Sequence, residues 1–183
     1  LVEDLPKHQK SLVDDITPAQ ITVSGIQRVL QNLLRERISV RDFSTILEAI
    51  AETTSAPTDL LTVTEHVRTR LARQLCNAHL DPSGALPVVA LSANWEQAFA
   101  EALIGQGAEK QLALEPSRLH QFVSDLRGAF ERAALTGDAP ILLTSGAVRP
   151  YVRSLVERFR PQTIVMSQNE IHPKARLRSA GAV

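Results

Sequence analysis

Apolar positions recur every three to four residues through the first eighty residues, and the period then shortens. Ile26, Val29, Leu30, Leu33 and Leu34 form one helical stripe, Phe43, Ile46, Leu47 and Ile50 the next, and Val67, Leu71, Leu75 and Ala78 a third. These stripes predict helices near 22–37, 40–54 and 59–79, preceded by one from about Val2 to Asp15 that stops ahead of Pro18. Ser39 is placed to cap the 40–54 helix, with Asp42 three residues on as its reciprocal partner. Thr58 or Asp59 opens the last helix, after a loop at Thr53-Thr54-Ser55-Ala56-Pro57.

Beyond the turn cluster Asp81-Pro82-Ser83-Gly84, short apolar runs alternate with helical ones. Pro87–Leu91 has strand length, and Asn94 with Gln97 resembles a capping box opening a helix that runs to about Ile104 and ends at Gly105-Gln106-Gly107. Gln111–Leu114 predicts a second strand. Pro116 suits a helix start, and Leu119, Phe122, Val123, Leu126, Phe130 and Ala133 keep helical spacing until Gly137. Ile141–Leu143, Thr163–Met166 and Ala175–Val183 predict further strands, with Val152, Leu155, Val156 and Phe159 on a helix between the first two. The expected fold class is therefore α followed by α/β: a helical subdomain at 1–80, then a C-terminal α/β subdomain at 81–183 with a short mixed sheet and packed helices.

A hydrophobic content of 44% against 22% charged residues excludes a disordered tail. One Trp, one Tyr and five Phe leave the cores to be built mainly from aliphatic side chains. Twenty basic residues balance twenty acidic ones, so no global field draws the chain to nucleic acid or anionic lipid, and charge recognition must be local. The single Cys76 excludes an internal disulfide, and no apolar run has the length of a membrane span. Leu1-Val2-Glu3-Asp4 carries neither an initiator Met nor a targeting pattern, and is expected to be a cut inside a longer protein.

Candidate chemistry is sparse. Ser145 follows a strand, but Leu143 stands where a nucleophile elbow needs its first glycine, so no catalytic residue is assigned. The Thr144-Ser145-Gly146-Ala147 turn either binds an anion through free amides or simply caps the next helix. Gly105 and Gly107 close a helix and make no dinucleotide fingerprint, so no cofactor is expected. Cys76 and His79 share a helix face, with His66 about three turns earlier and too far to complete a zinc site. The arginine-rich joint between two helices is different. Arg35, Arg37 and Arg41 exceed what a turn requires, where Gly, Asn or Pro is usual. Glu36, Asp42 and Glu48 can neutralise them as a solvated face, or the group contacts a protein, or it meets DNA as a helix–turn–helix would. Arg149, Tyr151 and Arg153 alternate at a helix start and Asn169-Glu170 follows a strand, so these five either present a partner surface or stiffen the fold internally.

Three blocks of sequence carry a resemblance. Gln27-Arg28-Val29-Leu30-Gln31-Asn32-Leu33-Leu34-Arg35-Glu36-Arg37 through Ala49 is the first, Leu60-Leu61 with Thr64-Glu65-His66-Val67-Arg68 the second. The third comprises Pro140–Ser145, Arg149-Pro150-Tyr151-Val152-Arg153, Glu157-Arg158, Pro161 and Ser167-Gln168-Asn169-Glu170-Ile171. In this order they resemble the C-terminal cytoplasmic region of the FlhA/LcrD/InvA family of type III export components, flagellar or virulence-associated. The resemblance implies an inner-membrane protein anchored through a part preceding these residues, whose cytoplasmic side forms a nonameric ring. It implies docking of export substrates, chaperone–substrate complexes and ATPase-complex components, with no enzymatic activity and no nucleic acid. Arg35, Arg37, Arg41 and Asp42 then become candidate lateral contacts, and Arg149, Tyr151, Arg153, Asn169 and Glu170 candidate docking residues. The competing possibility is a DNA-binding helical module with an α/β effector domain.

Overall fold

Side-chain caps decide where the first helices begin. The Thr22 hydroxyl accepts from the Gly25 amide at 3.0 Å, Asp42 from the Thr45 amide at 3.3 Å, and Asp59 from the Thr62 amide at 2.9 Å. The computed structural model describes residues 5–53 and 59–183 and divides into two compact units, Leu1–Leu71 and Ala72–Val183. In the first, α1 (Lys7–Ile16), α2 (Val23–Arg35), α3 (Phe43–Glu52) and α4 (Leu60–Arg70) follow the predicted order. Residues 1–4, where the first helix was expected to start, lie outside the described residues, as does most of the expected 53–57 loop. Asp42, not Ser39, caps α3, so that helix starts three residues later than expected; a carboxylate at the positive end of a helix is the stronger acceptor. The Ser39 hydroxyl instead accepts from the Arg41 amide at 3.4 Å.

The core of this unit is aliphatic, as the composition implied: Val13, Ile16, Ile26, Val29, Leu33, Ile46, Leu47, Ile50, Val63 and Val67 are buried. α3 packs between α1 and α4, and α2 lies along α4. The helix expected over 59–79 breaks at Leu71, and its second half, α5 (Ala72–Asn77), belongs to the second unit. Residues 70–73 are good helix formers, and nothing local marks the break.

The second unit continues with β1 (Ala85–Ala90), α6 (Ala93–Glu101), β2 (Leu103–Ile104), β3 (Gln111–Leu112), α7 (Pro116–Leu135), β4 (Ile141–Thr144), α8 (Arg149–Phe159), β5 (Val165–Ser167) and β6 (Arg176–Ala182). Four strands form one parallel sheet in the order β5-β4-β1-β6, in register at Val88↔Ile141, Leu142↔Val165 and Leu86↔Leu177. Antiparallel pairing is confined to the separate β2–β3 ribbon, where the sequence had suggested a helix reaching Ile104. Ser92, two residues before Asn94, caps α6.

Against the sheet packs an aromatic cluster. Trp95, Phe99 and Phe122 meet at centroid distances of 4.9–6.3 Å, two of the three pairs edge-to-face. With Phe130, four of the seven aromatic residues thus line one core, which composition alone had not suggested. Phe122→Ala is expected to destabilise the second unit by about 3–5 kcal/mol. Denaturant unfolding followed by the fluorescence of Trp95, the chain's one Trp, checks this.

Candidate functional site

Helix α2 ends in a geometry usually reserved for glycine. The Arg37 amide donates to the Leu34 carbonyl at 2.9 Å and the Ile38 amide to the Leu33 carbonyl at 3.0 Å, the paired bonds of a Schellman stop. Ile38 completes it by packing inward, with both it and Leu33 buried. Arg37, at the left-handed position, has φ of +60°. A side chain there costs on the order of 1 kcal/mol that glycine would avoid.

Two polar rungs bind α2 to α4 beneath this tip. Asn32 Nδ2 donates to Thr64 Oγ1 at 3.2 Å, and one turn further on Arg68 Nη1 donates to Glu36 Oε2 at 2.8 Å. Arg68 is 1% exposed and the Glu36 side chain 17%, so this is an interior ion pair. Two of the three carboxylates expected to neutralise the elbow are therefore engaged otherwise, and the third, Glu48, is exposed. Glu36 reaches inward to Arg68, and Asp42 accepts from both the amide and the hydroxyl of Thr45. Arg35, Arg37 and Arg41 are exposed and form no ion pair among the described residues. Leu34, placed by its spacing on the buried stripe, is 54% exposed beside them.

The second predicted group divides. Arg149 (1% exposed) and Arg153, one turn apart on α8, point inward and donate to the carbonyls of Val165 at 3.3 Å and Thr163 at 3.4 Å, pinning the helix to β5 and its approach. Glu170 is buried, its carboxylate accepting from the Ser167 amide at 2.7 Å. These three are struts, not surface contacts, because carbonyl and amide groups at the sheet edge satisfy them. Tyr151 is half-buried and Asn169 exposed; a Cβ on Gly146 would lie 2.7 Å from Asn169 Nδ2, so Asn169 rests on the turn before α8. In that turn neither Thr144 nor Ser145 caps the helix. The Ser145 amide and hydroxyl both donate to the Glu96 carboxylate, at 2.6 Å each, which fills the anion position from within the fold. A cavity of about 590 Å³ opens beside it at the carboxyl ends of β1 and β4.

Cys76 is buried; its thiol donates to the Glu170 carbonyl and accepts from the His172 amide, and burial raises its pKa. Burial lowers that of His79. No group of three or more His, Cys, Asp or Glu able to hold a metal occurs among the described residues.

One cluster escaped the sequence reading. Arg178 on β6 bridges Asp138 (2.6 and 3.0 Å) and Asp81 (2.9 and 3.1 Å), residues 40 and 97 positions away. Hydrogen bonds from Ser83 and Ala85, then from Arg178, hold Asp81 far below the usual carboxylate range, and Arg178 lowers Asp138.

A helical unit followed by a parallel α/β unit is a fold shared with part of the solved cytosolic domains of type III secretion proteins. The chain belongs to the FHIPEP family, whose profile matches residues 1–176. It is 60% identical over all 183 residues to the flagellar biosynthesis protein FlhA of Caulobacter vibrioides, covering 26% of that relative. The chain spans about a quarter of the length of the curated relatives it matches. Among solved structures it is similar to CdsV of Chlamydia pneumoniae (TM-score 0.89, 28% identity, all of this chain and 52% of that one). CdsV in complex with CdsO also matches (TM-score 0.83, 29% identity, 94% and 51%), as does the nonameric EscV cytosolic domain (TM-score 0.78, 25% identity, 100% and 53%).

Two outcomes follow from these ion pairs. Arg68→Ala removes the buried cation of this pair and is expected to cost about 3–5 kcal/mol, read by chemical denaturation. Asp81 and Asp138 have lowered folded-state pKa values, so their stabilisation is complete above the unfolded value of about 4 and is lost as pH falls below it. The stability gap between wild type and Arg178→Met should therefore hold from pH 7 to about 5 and shrink below about 4.

Proposed function

We propose that this chain is the cytoplasm-facing part of an inner-membrane flagellar export component, and that it works as a ring-forming docking platform. Family membership and the 60% identity to a flagellar FlhA, against 28% to CdsV, favour flagellar over virulence use. The helical unit makes lateral contacts through the elbow, and the α/β unit helps present a surface to export substrates, chaperone–substrate complexes and the ATPase complex. Nonameric assembly of the similar EscV domain supports the ring, and the CdsV–CdsO complex supports binding of another protein. No helix among the described residues is long and apolar enough to cross a membrane; on this proposal the anchor lies in a part of the protein preceding them.

The observation that carries the proposal is a set of three outward guanidiniums, one on a backbone position suited to glycine, with the neighbouring carboxylates Glu36 and Asp42 engaged in the fold. Weak contacts repeated around a ring gain avidity of about 10²–10⁴ toward a multivalent partner while still exchanging quickly. Hand-over of cargo needs that combination.

Arg37→Gly separates folding from assembly. Relief of the left-handed strain should leave the helical unit as stable or about 1 kcal/mol more so. Combined with Arg35→Ala it should weaken self-association of the native protein by about 2–5 kcal/mol. Unaltered assembly in particle images and normal motility would remove the elbow from the interface. Retardation of random duplex at moderate salt by the wild-type protein would favour DNA binding instead.

A further inference from the structure

Helix α6 brings carboxylate and no cation to the cavity at the carboxyl ends of β1 and β4. Glu96 stands in its first turn and Glu101 at its close, and none of its residues is basic. Parallel sheets take ligands at that end of their strands, and about 590 Å³ lies within the usual size of a ligand site. Ala90, Ala93, Ala147, Leu143 and Val148 give the cavity an apolar lining. Glu96, Gln97, Ser145 and Gln168 are its polar members, and no Lys, Arg or His lines it among the described residues.

The groups left over at this site are chiefly acceptors. Each Glu96 oxygen accepts from Ser145 at 2.6 Å, one from the amide and one from the hydroxyl, which fixes the carboxylate and spends both Ser145 donors. A carboxylate offers about four acceptor positions, so two stay open. Where Glu36, Asp81 and Asp138 meet guanidiniums, Glu96 meets no cation among the described residues. Beside it the Gln97 amide nitrogen donates to Glu101 at 2.7 Å, which leaves the Gln97 carbonyl oxygen to accept.

We infer that this cavity binds an alkylammonium group, with the ammonium on Glu96 and the Gln97 carbonyl and its methylenes along the alanines, Leu143 and Val148. An ammonium has three donors and no acceptor, which matches what the site offers. Ser145 already spans both Glu96 oxygens as a guanidinium fork would, so the compact point charge fits better than an arginine. An anion would find the donors taken and a carboxylate in their place. The group is a lysine side chain of a polypeptide laid over the cavity or a free aliphatic amine. The site lies within the second unit, and the inference does not depend on the role proposed for the elbow.

Titration of butylammonium into the whole 183-residue chain, followed by amide and methyl NMR, tests this. Saturable shifts centred on Ala93, Leu143 and Val148 are expected, with none from butanol. Glu96→Gln keeps an acceptor for Ser145 but removes the charge, and should weaken binding about tenfold or more. Ala100→Leu leaves the carboxylate in place and obstructs the cavity from an exposed position of α6, and should weaken it as much. The same spectra show whether each variant is folded. Absence of saturable shifts, equal shifts from butanol, or undiminished binding in either folded variant overturns the inference. An acetylated and amidated Gly-Lys-Gly peptide separates the two sources. Binding at least as tight as that of butylammonium assigns the site to a polypeptide lysine, and weaker binding assigns it to a free amine.

Discussion

The interior contact between Arg68 and Glu36 governs the shape of the helical unit at its charged end. Taking two ions out of water is expensive, and their attraction at 2.8 Å repays it only with good geometry. Such a pair adds little net stability over an apolar replacement, but it specifies position. It fixes the last turn of α2 on α4 directly below the stop at Arg37, and the Asn32–Thr64 bond one turn earlier sets the same register. With the turn held there, Ile38 is drawn inward and Asp42 is delivered to the start of α3. The three arginines of the elbow, Arg35, Arg37 and Arg41, stay exposed.

Arginine thus serves two purposes in this chain. Arg68, Arg149 and Arg153 are internal: long, always charged, able to bond several acceptors from one plane, they tie a helix to a carboxylate or to strand carbonyls. Arg178 is intermediate, binding two carboxylates at the margin of the sheet. Arg35, Arg37 and Arg41 stand in solvent. Glu36, Asp42, Asp59, Glu96 and Glu170 have internal or capping work, which leaves guanidiniums in local surplus at the elbow even though the chain is neutral overall.

Much of this was legible in the residues. Stripes of Ile, Leu and Val at helical spacing located α2 to α4, and short apolar runs after Asp81 located the strands. The charged elbow was visible because arginine replaces the usual turn formers. What failed did so for identifiable reasons. Periodicity placed Leu34 in the core, but the Schellman stop turns the chain before that side chain is covered. Ser39 and Asp42 are both competent caps, and only the observed turn shows which one faces the amides. For Arg149, Arg153 and Glu170 the sequence left surface and internal roles open, because two of their acceptors are the carbonyls of Val165 and Thr163, which no pattern of side chains reveals. The joining of Asp81, Asp138 and Arg178 depends on sheet order, with β1 between β4 and β6, and is invisible before that order is known.

The Arg68–Glu36 pair holds the elbow in place for the lateral contact proposed above. Replacing the pair together by Arg68→Met and Glu36→Leu removes both charges without stranding either, so the fold should survive. Sedimentation of the native protein carrying both changes, beside its thermal unfolding, is the direct measurement. Loss of assembly with unfolding at or above the wild-type temperature is the expected result. Full assembly in a stably folded double variant would contradict the account.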